Sequence, residues 1–170
     1  MNDLQWFLLF GNTLKDIKRF FADFKSAASQ YGDLGAGFTL SGDFKVTADV
    51  ELKSSETNTF SIVGLVSSSA TRFDILSTGE MRFRVDGSNV TTTATVTRDN
   101  AIHTLECELS GNDFIFRSDG NVLETVTDAV AAAKTATIGS AGVSNTAASR
   151  FANAIIANLK ITDAGTLVGD

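Results

Sequence analysis

The stretch Ile102–Thr127, IHTLECELSGNDFIFRSDGNVLETVT, decides the fold because it predicts three short strands separated by two turns. In the first strand an inward set of side chains alternates with an outward set of Thr and Glu, the period of two expected of a half-buried strand. The inward set is His103, Leu105, Cys107 and Leu109. Glycine and asparagine at 110–113 and 119–121 tolerate the positive φ that tight hairpins need. The stretch therefore predicts an antiparallel meander with one face on a core.

Similar alternation on both sides of this meander extends the prediction to the rest of the chain. Phe44–Leu52 alternates apolar and charged residues along its whole length, and short strands separated by turns follow it. The last long strand is predicted at Phe151–Ile161, with one inward set: Phe151, Ile155, Ala157, Leu159 and Ile161. Ten or more such strands predict an all-β, antiparallel two-sheet sandwich.

Length and charge limit the classes of partner. The chain has 170 residues, 43% of them hydrophobic, which is enough for one domain with a sizeable core. A net charge of −6 disfavours nucleic acid and anionic membranes as partners. The apolar run at Trp6–Phe10 lacks a basic flank and is too short for a signal peptide, and nothing approaches the ~20 apolar residues of a membrane span.

The N-terminal residues carry a different, helical pattern. Apolar residues at alternating spacings of three and four predict an amphipathic helix, firmest over Thr13–Ser29. Its predicted docking or oligomerisation residues are Phe7, Phe10, Leu14, Ile17, Phe21 and Phe24. The helix could pack on its own domain, or it could dock into a partner or bundle with copies of itself. Three glycines in 31–37 predict a joint, so we expect an arm at 1–37 and a sandwich domain at 38–170.

Five segments in a fixed order carry a resemblance to a known family. They are Leu76–Gly87, Asp99–Cys107, Phe114–Val122, Ile138–Ser140 and Phe151–Ile161. Together they resemble the concanavalin-A-like lectin/glucanase, or laminin-G-like, jelly roll over residues 38–168. One departure is Ile102, where the family commonly places Trp before the histidine. The resemblance implies a domain of the kind found in tailed-bacteriophage virion proteins.

A glucanase of this superfamily would carry Glu-x-Asp-x-Glu on one strand. The chain has no such run. The pairs Asp49/Glu51 and Glu106/Glu108 are more simply the solvated sides of amphipathic strands. The one histidine, His103, has inward parity and is predicted to be a core residue, and Cys107 is predicted to be a buried small hydrophobe. We therefore expect no enzyme activity and no cofactor.

Ligand binding by the sandwich is an alternative with weak support in the sequence. Sugar sites often use Trp or Tyr, but Trp6 and Tyr31 both lie in the predicted arm. Calcium could use loop oxygens, and the candidates are Asp86, Asn89, Asp119 and Asn121. Ordinary turn chemistry explains the same residues, and we favour it.

Three hypotheses result. The first is a bacteriophage virion structural or decoration protein, located on the particle, whose partners are other virion proteins and copies of itself. The second is a carbohydrate-binding adhesin module that recognises host-surface glycan. The third, a glycoside hydrolase, is disfavoured by the missing acidic triplet.

Overall fold

A computed structural model describes residues 21–23, 32–40, 42–65, 68–142 and 154–169. Within these ranges the elements, in chain order, are β1 (Phe21–Asp23), β2 (Gly32–Leu40), β3 (Phe44–Glu51), β4 (Phe60–Leu65), β5 (Ser68–Ile75), β6 (Glu80–Val85), β7 (Ser88–Thr95), β8 (Ile102–Ser110), β9 (Asp113–Ser118), β10 (Asn121–Thr127), α1 (Ala129–Ala132), β11 (Ala136–Ala141), β12 (Ile155–Asp163) and β13 (Thr166–Gly169). No helix among these residues is long and apolar enough to cross a membrane.

The strands form two antiparallel sheets. In the described part of the chain, the first sheet has seven strands in the order β1-β12-β3-β8-β9-β10, with β13 beside β12. The second sheet has six strands in the order β2-β11-β4-β5-β6-β7. The predicted meander is confirmed, because β8 pairs with β9 and β9 with β10. The two-sheet antiparallel sandwich is confirmed with it.

The inward residues of both sheets meet in one core. Phe83 on β6 is fully buried, and its ring centroid lies 4.9 Å from that of Phe44 and 6.2 Å from that of Phe114. These two partners lie on strands of the first sheet, so the contacts join the sheets face to face. Cys107 is also fully buried, as predicted, and burial raises the pKa of its thiol well above the usual value.

The predicted N-terminal helix is wrong where the structure describes it. Phe21–Asp23 is strand β1, with Phe21 opposite Ala157 of β12. Phenylalanine favours strands, and pairing with β12 satisfies backbone groups that this strand would otherwise expose. Five of the six predicted docking residues lie outside the described residues. They are Phe7, Phe10, Leu14, Ile17 and Phe24.

The predicted joint also belongs to a sheet. Gly32–Leu40 is strand β2, paired with β11, with a register shift between Ile138 and Ser140. Gly37 lies near this shift with φ of +85°, and a Cβ there would come 3.2 Å from the Ile138 carbonyl oxygen. Glycine is needed at this position because the backbone is left-handed and passes close to β11. The division into an arm at 1–37 and a domain at 38–170 stays a prediction.

Strand β12 differs from its predicted parity. Ile156, not Ile155 or Ala157, is buried, whereas Leu159 and Ile161 are buried as predicted. The cause is a shift in pairing with β3 between Ala157 and Lys160. A bulge of this kind changes which face the preceding residues occupy.

We predict that Phe83→Ala lowers the free energy of unfolding by about 3–5 kcal/mol, because it leaves a cavity between the sheets. Val122→Ala is the control, since Val122 is 58% exposed. It should change stability by less than about 0.5 kcal/mol. Urea denaturation followed by circular dichroism measures both, and a similar loss in the two variants would contradict this description of the core.

Candidate functional site

The outward face of the first sheet brings polar side chains of neighbouring strands together. Strands β3 and β8 pair without a register shift over their common length. Their outward cross-strand pairs are Lys45 with Glu108, Thr47 with Glu106, Asp49 with Thr104, and Glu51 with Ile102. Side chains in such pairs are about 4.5–5.5 Å apart at Cβ. The face is therefore a ladder of groups that can contact one another directly.

Asp49 accepts hydrogen bonds from two neutral side chains on the strands that flank it. Thr104 Oγ1 on β8 donates to Asp49 Oδ1 at 2.6 Å, and Asn158 Nδ2 on β12 donates to Asp49 Oδ2 at 2.5 Å. We call Asp49, Thr104 and Asn158, together with Ile102 beside them, the Asp49 patch. Within the described part of the chain no cation pairs with Asp49.

Asn158 reaches Asp49 because the backbone of β12 is irregular. The φ of Asn158 is 49°, in the left-handed region, and Asn158 lies inside the register shift between Ala157 and Lys160. Asparagine tolerates this conformation better than most residues, but it is still disfavoured in a strand. Such backbone conformations cluster at functional sites, which makes this bulge the first indication of one.

The patch keeps hydrogen-bonding capacity on its solvent side. A hydroxyl has one donor and two acceptor positions, and an amide has two donors and one carbonyl acceptor. Thr104 and Asn158 each use one donor on Asp49, so acceptor positions on both and one amide hydrogen of Asn158 can serve a ligand. Ile102, 59% exposed, adds an apolar surface about 7 Å along β8 from Thr104.

The acidic pair Glu106 and Glu108 is neutralised within the same face. Arg117 Nη1 on β9 binds both carboxylates, at 2.5 Å from Glu108 Oε2, and Lys45 Nζ lies 3.4 Å from each. Burial raises the pKa of Glu108, but the hydrogen bond from Arg117 and the charge of Lys45 outweigh it, so this pKa lies below its usual value. A general acid needs a raised pKa, so Glu108 is unsuited to protonate a leaving group.

His103 is not the core residue predicted from its parity. Its side chain is 18% exposed, and it lies 2.8 Å through Nδ1 from Asp119 Oδ2 and 3.0 Å through Nε2 from Asp99 Oδ1. These hydrogen bonds, first to Asp119 and then to Asp99, raise the pKa of His103 above its usual value. The hydrogen bond to His103 lowers the pKa of each aspartate. The prediction from parity was wrong because His103 is near the end of β8, where two loops supply polar partners.

The four calcium candidates lie in turns of different sheets. Asp86 and Asn89 belong to the β6–β7 hairpin, and Asp119 and Asn121 to the β9–β10 hairpin. Asp119 accepts from His103 and from the Thr104 amide at 2.9 Å, while Lys134 Nζ donates to the Asp86 carbonyl at 2.8 Å. Among the residues described, no cluster of three His, Cys, Asp or Glu is arranged to hold a metal ion.

The architecture defines a laminin-G-like, concanavalin-A-like jelly roll, as the resemblance implied. Laminin-G domains 4 and 5 of the mouse laminin α1 chain match it with a TM-score of 0.58 at 19% identity, covering 89% of this chain and 44% of theirs. A Trypanosoma rangeli sialidase matches with a TM-score of 0.55 at 10% identity, covering 81% of this chain and 25% of its own. The chain thus spans less than half of either structure. At these identities the likeness shows the fold.

No family model and no curated protein matches the sequence. Neither the laminin fragment nor the sialidase is a virion protein by description, so the virion assignment stays a prediction. Asn158 was missed by sequence reasoning. The signal that could have found it is the pair Ile155-Ile156, because two consecutive apolar residues break the alternation just before Asn158.

We predict that His103→Gln removes stability in a pH-dependent way. A raised folded-state pKa means that the stabilisation is complete below the unfolded value of about 6.5 and is lost as pH rises through the folded value. The lowered aspartate pKa values set the acid limit, since their contribution is lost as pH falls through the folded values. Wild type and variant should therefore differ most between about pH 4.5 and 6.5 and converge at higher pH.

Thermal denaturation at several pH values measures this difference. Asn121→Gln, an exposed residue in the same turn region, is the control and should show a pH-independent offset. A constant gap between wild type and His103→Gln from about pH 5 to about pH 9 would contradict the assignment.

Proposed function

We propose that the chain is a non-catalytic carbohydrate-binding module whose glycan contacts the Asp49 patch. The observation that carries the proposal is the Asn158 bulge. It uses a disfavoured backbone conformation to place a third hydrogen-bonding side chain beside Asp49 and Thr104.

The chemistry of the patch fits a sugar. Neighbouring hydroxyls of a pyranose offer donors and acceptors at short spacing, and a carboxylate flanked by a hydroxyl and an amide can bind two of them together. The buried phenylalanines of the described core, such as Phe83 and Phe116, provide no stacking platform. Ile102 would instead contact the C–H groups of the ring. One aliphatic contact and three polar groups on an open face favour weak binding.

The fold gives independent, coarser support. A quarter of the sialidase chain shares this fold, and that enzyme is described as a covalent intermediate with 2,3-difluorosialic acid, so the fold occurs within a protein that binds a sugar derivative. That likeness supports the class of ligand for this chain, while the position of the site is argued from Asp49, Thr104 and Asn158. We propose that the module has no catalytic role because Glu106 and Glu108 are held by Arg117 and Lys45.

We predict that Asn158→Gly weakens glycan binding at least tenfold while the fold persists, because glycine accepts a φ of 49° and removes only the amide. A printed glycan array identifies the glycans retained by the wild type, and calorimetry compares the variants on them. Asn89→Ala, which changes an exposed asparagine on the second sheet, is the matched control and should bind as the wild type does.

Two outcomes would contradict this proposal. Equal binding by wild type and Asn158→Gly would place the glycan elsewhere, and the absence of any retained glycan would remove the function itself. The bound glycans should also stay intact, so the appearance of new reducing ends would contradict the non-catalytic role.

A finer proposal is that the module is displayed on a bacteriophage particle through its N-terminal arm. Its support is the family resemblance and the aromatic pattern of the arm, with Phe7, Phe10, Leu14, Ile17 and Phe24 as docking residues. Phe21 is better assigned to β1 than to docking. Light scattering should show a discrete oligomer that dissociates in Phe10→Asp, whereas a monomer in both proteins would contradict self-assembly through this arm.

A further inference from the structure

The Asp49 patch limits the charge of the ligand that it can bind. We infer that it selects neutral glycans and discriminates against sialylated or sulfated ones, an inference that rests on the proposed function. The juxtaposition that carries this inference is an outward carboxylate held by two neutral donors, with no cation paired to it among the described residues.

The charge of Asp49 is not compensated by its partners. Thr104 and Asn158 donate hydrogen bonds without contributing a positive charge. A ligand on the patch therefore meets an acceptor, which suits the hydroxyl donors of a sugar and repels an acidic group.

Carboxylates also surround the patch. Glu51 is the next outward residue on β3, and Asp119 accepts from the Thr104 amide at 2.9 Å. The cations near them have partners already. Lys53 Nζ lies 3.7 Å from Glu51 Oε2, and His103 is shared by Asp119 and Asp99. An acidic group of the ligand held about 4 Å from a carboxylate in water would lower the affinity of the ligand about fivefold, and by more where water is excluded.

Among the described residues, the other cations of this face are paired with carboxylates or lie further along it. Arg117 and Lys45 are held by Glu106 and Glu108. Lys160 is exposed and lies opposite Thr47, one outward position along β3 from Asp49. It is the side chain through which an acidic glycan could still be accepted, so the test includes it.

The test is a printed glycan array in which each sialylated glycan is paired with its asialo form. Wild type should retain the asialo member about fivefold or more above its sialylated partner. Asp49→Asn keeps the shape and hydrogen-bonding capacity but removes the charge, so the ratio should fall toward one. Asp86→Asn, on an exposed side chain of the second sheet, should leave the ratio unchanged.

Salt gives a second readout. Raising the ionic strength should increase binding of the sialylated member by the wild type, because salt screens the repulsion between like charges. It should have little effect on binding by Asp49→Asn. The inference would be overturned if the wild type bound the asialo and sialylated members equally and Asp49→Asn lost binding to both.

The outcomes separate the inference from the function beneath it. A preference for sialylated glycans that Lys160→Ala and Asn158→Gly both abolish would overturn the charge inference and leave the glycan-binding function standing. An array on which the wild type retains nothing would overturn the function and the inference together.

Discussion

The unbroken pairing of β3 with β8 is the constraint on which both the core and the candidate site depend. Every position from Phe44 opposite Leu109 to Glu51 opposite Ile102 is in register. Val46, Val50 and Leu105 therefore face the core, and the alternate residues face outward. A slip of one residue would move the core residues to solvent and bury Asp49. The hydrophobic effect that fixes the register thus also fixes the polar ladder outside.

The irregular backbone of the site lies in β12, the other neighbour of β3. Strand β12 pairs with β3 on both sides of the Asn158 bulge, so the bulge is held by regular pairing before and after it. This is the situation in which a disfavoured φ can persist, because surrounding structure determines the local backbone. The Asp49 patch therefore combines a rigid strand pair, which presents Asp49 and Thr104, with one strained residue that completes the arrangement.

How far the sequence predicts this structure depends on the range of the interactions involved. The meander and the alternation of β3 are local patterns, and both were predicted from Phe44, Leu105 and their neighbours. Strand β1 was predicted as helix because spacing alone cannot show that β12 offers an edge for pairing. Asn158 was missed for the same reason, because a bulge arises where one strand has an extra residue relative to a partner strand that is distant in sequence. Asp49 and Thr104 were correctly placed outward, but their common partner was not foreseen.

The carboxylates of the first sheet differ in what holds them: some are paired with cations, whereas Asp49 and Asp113 accept from neutral side chains. Glu106 and Glu108 share Arg117 and Lys45, and Asp119 shares His103 with Asp99. Asp49 is held by neutral donors. Hydrogen bonds from neutral donors to an ionised carboxylate are themselves charge-assisted, so Thr104 and Asn158 can hold Asp49 without a cation. Asp49 is therefore oriented by neutral donors on the outward face, and the oxygen lone pairs that they leave can accept from an external donor.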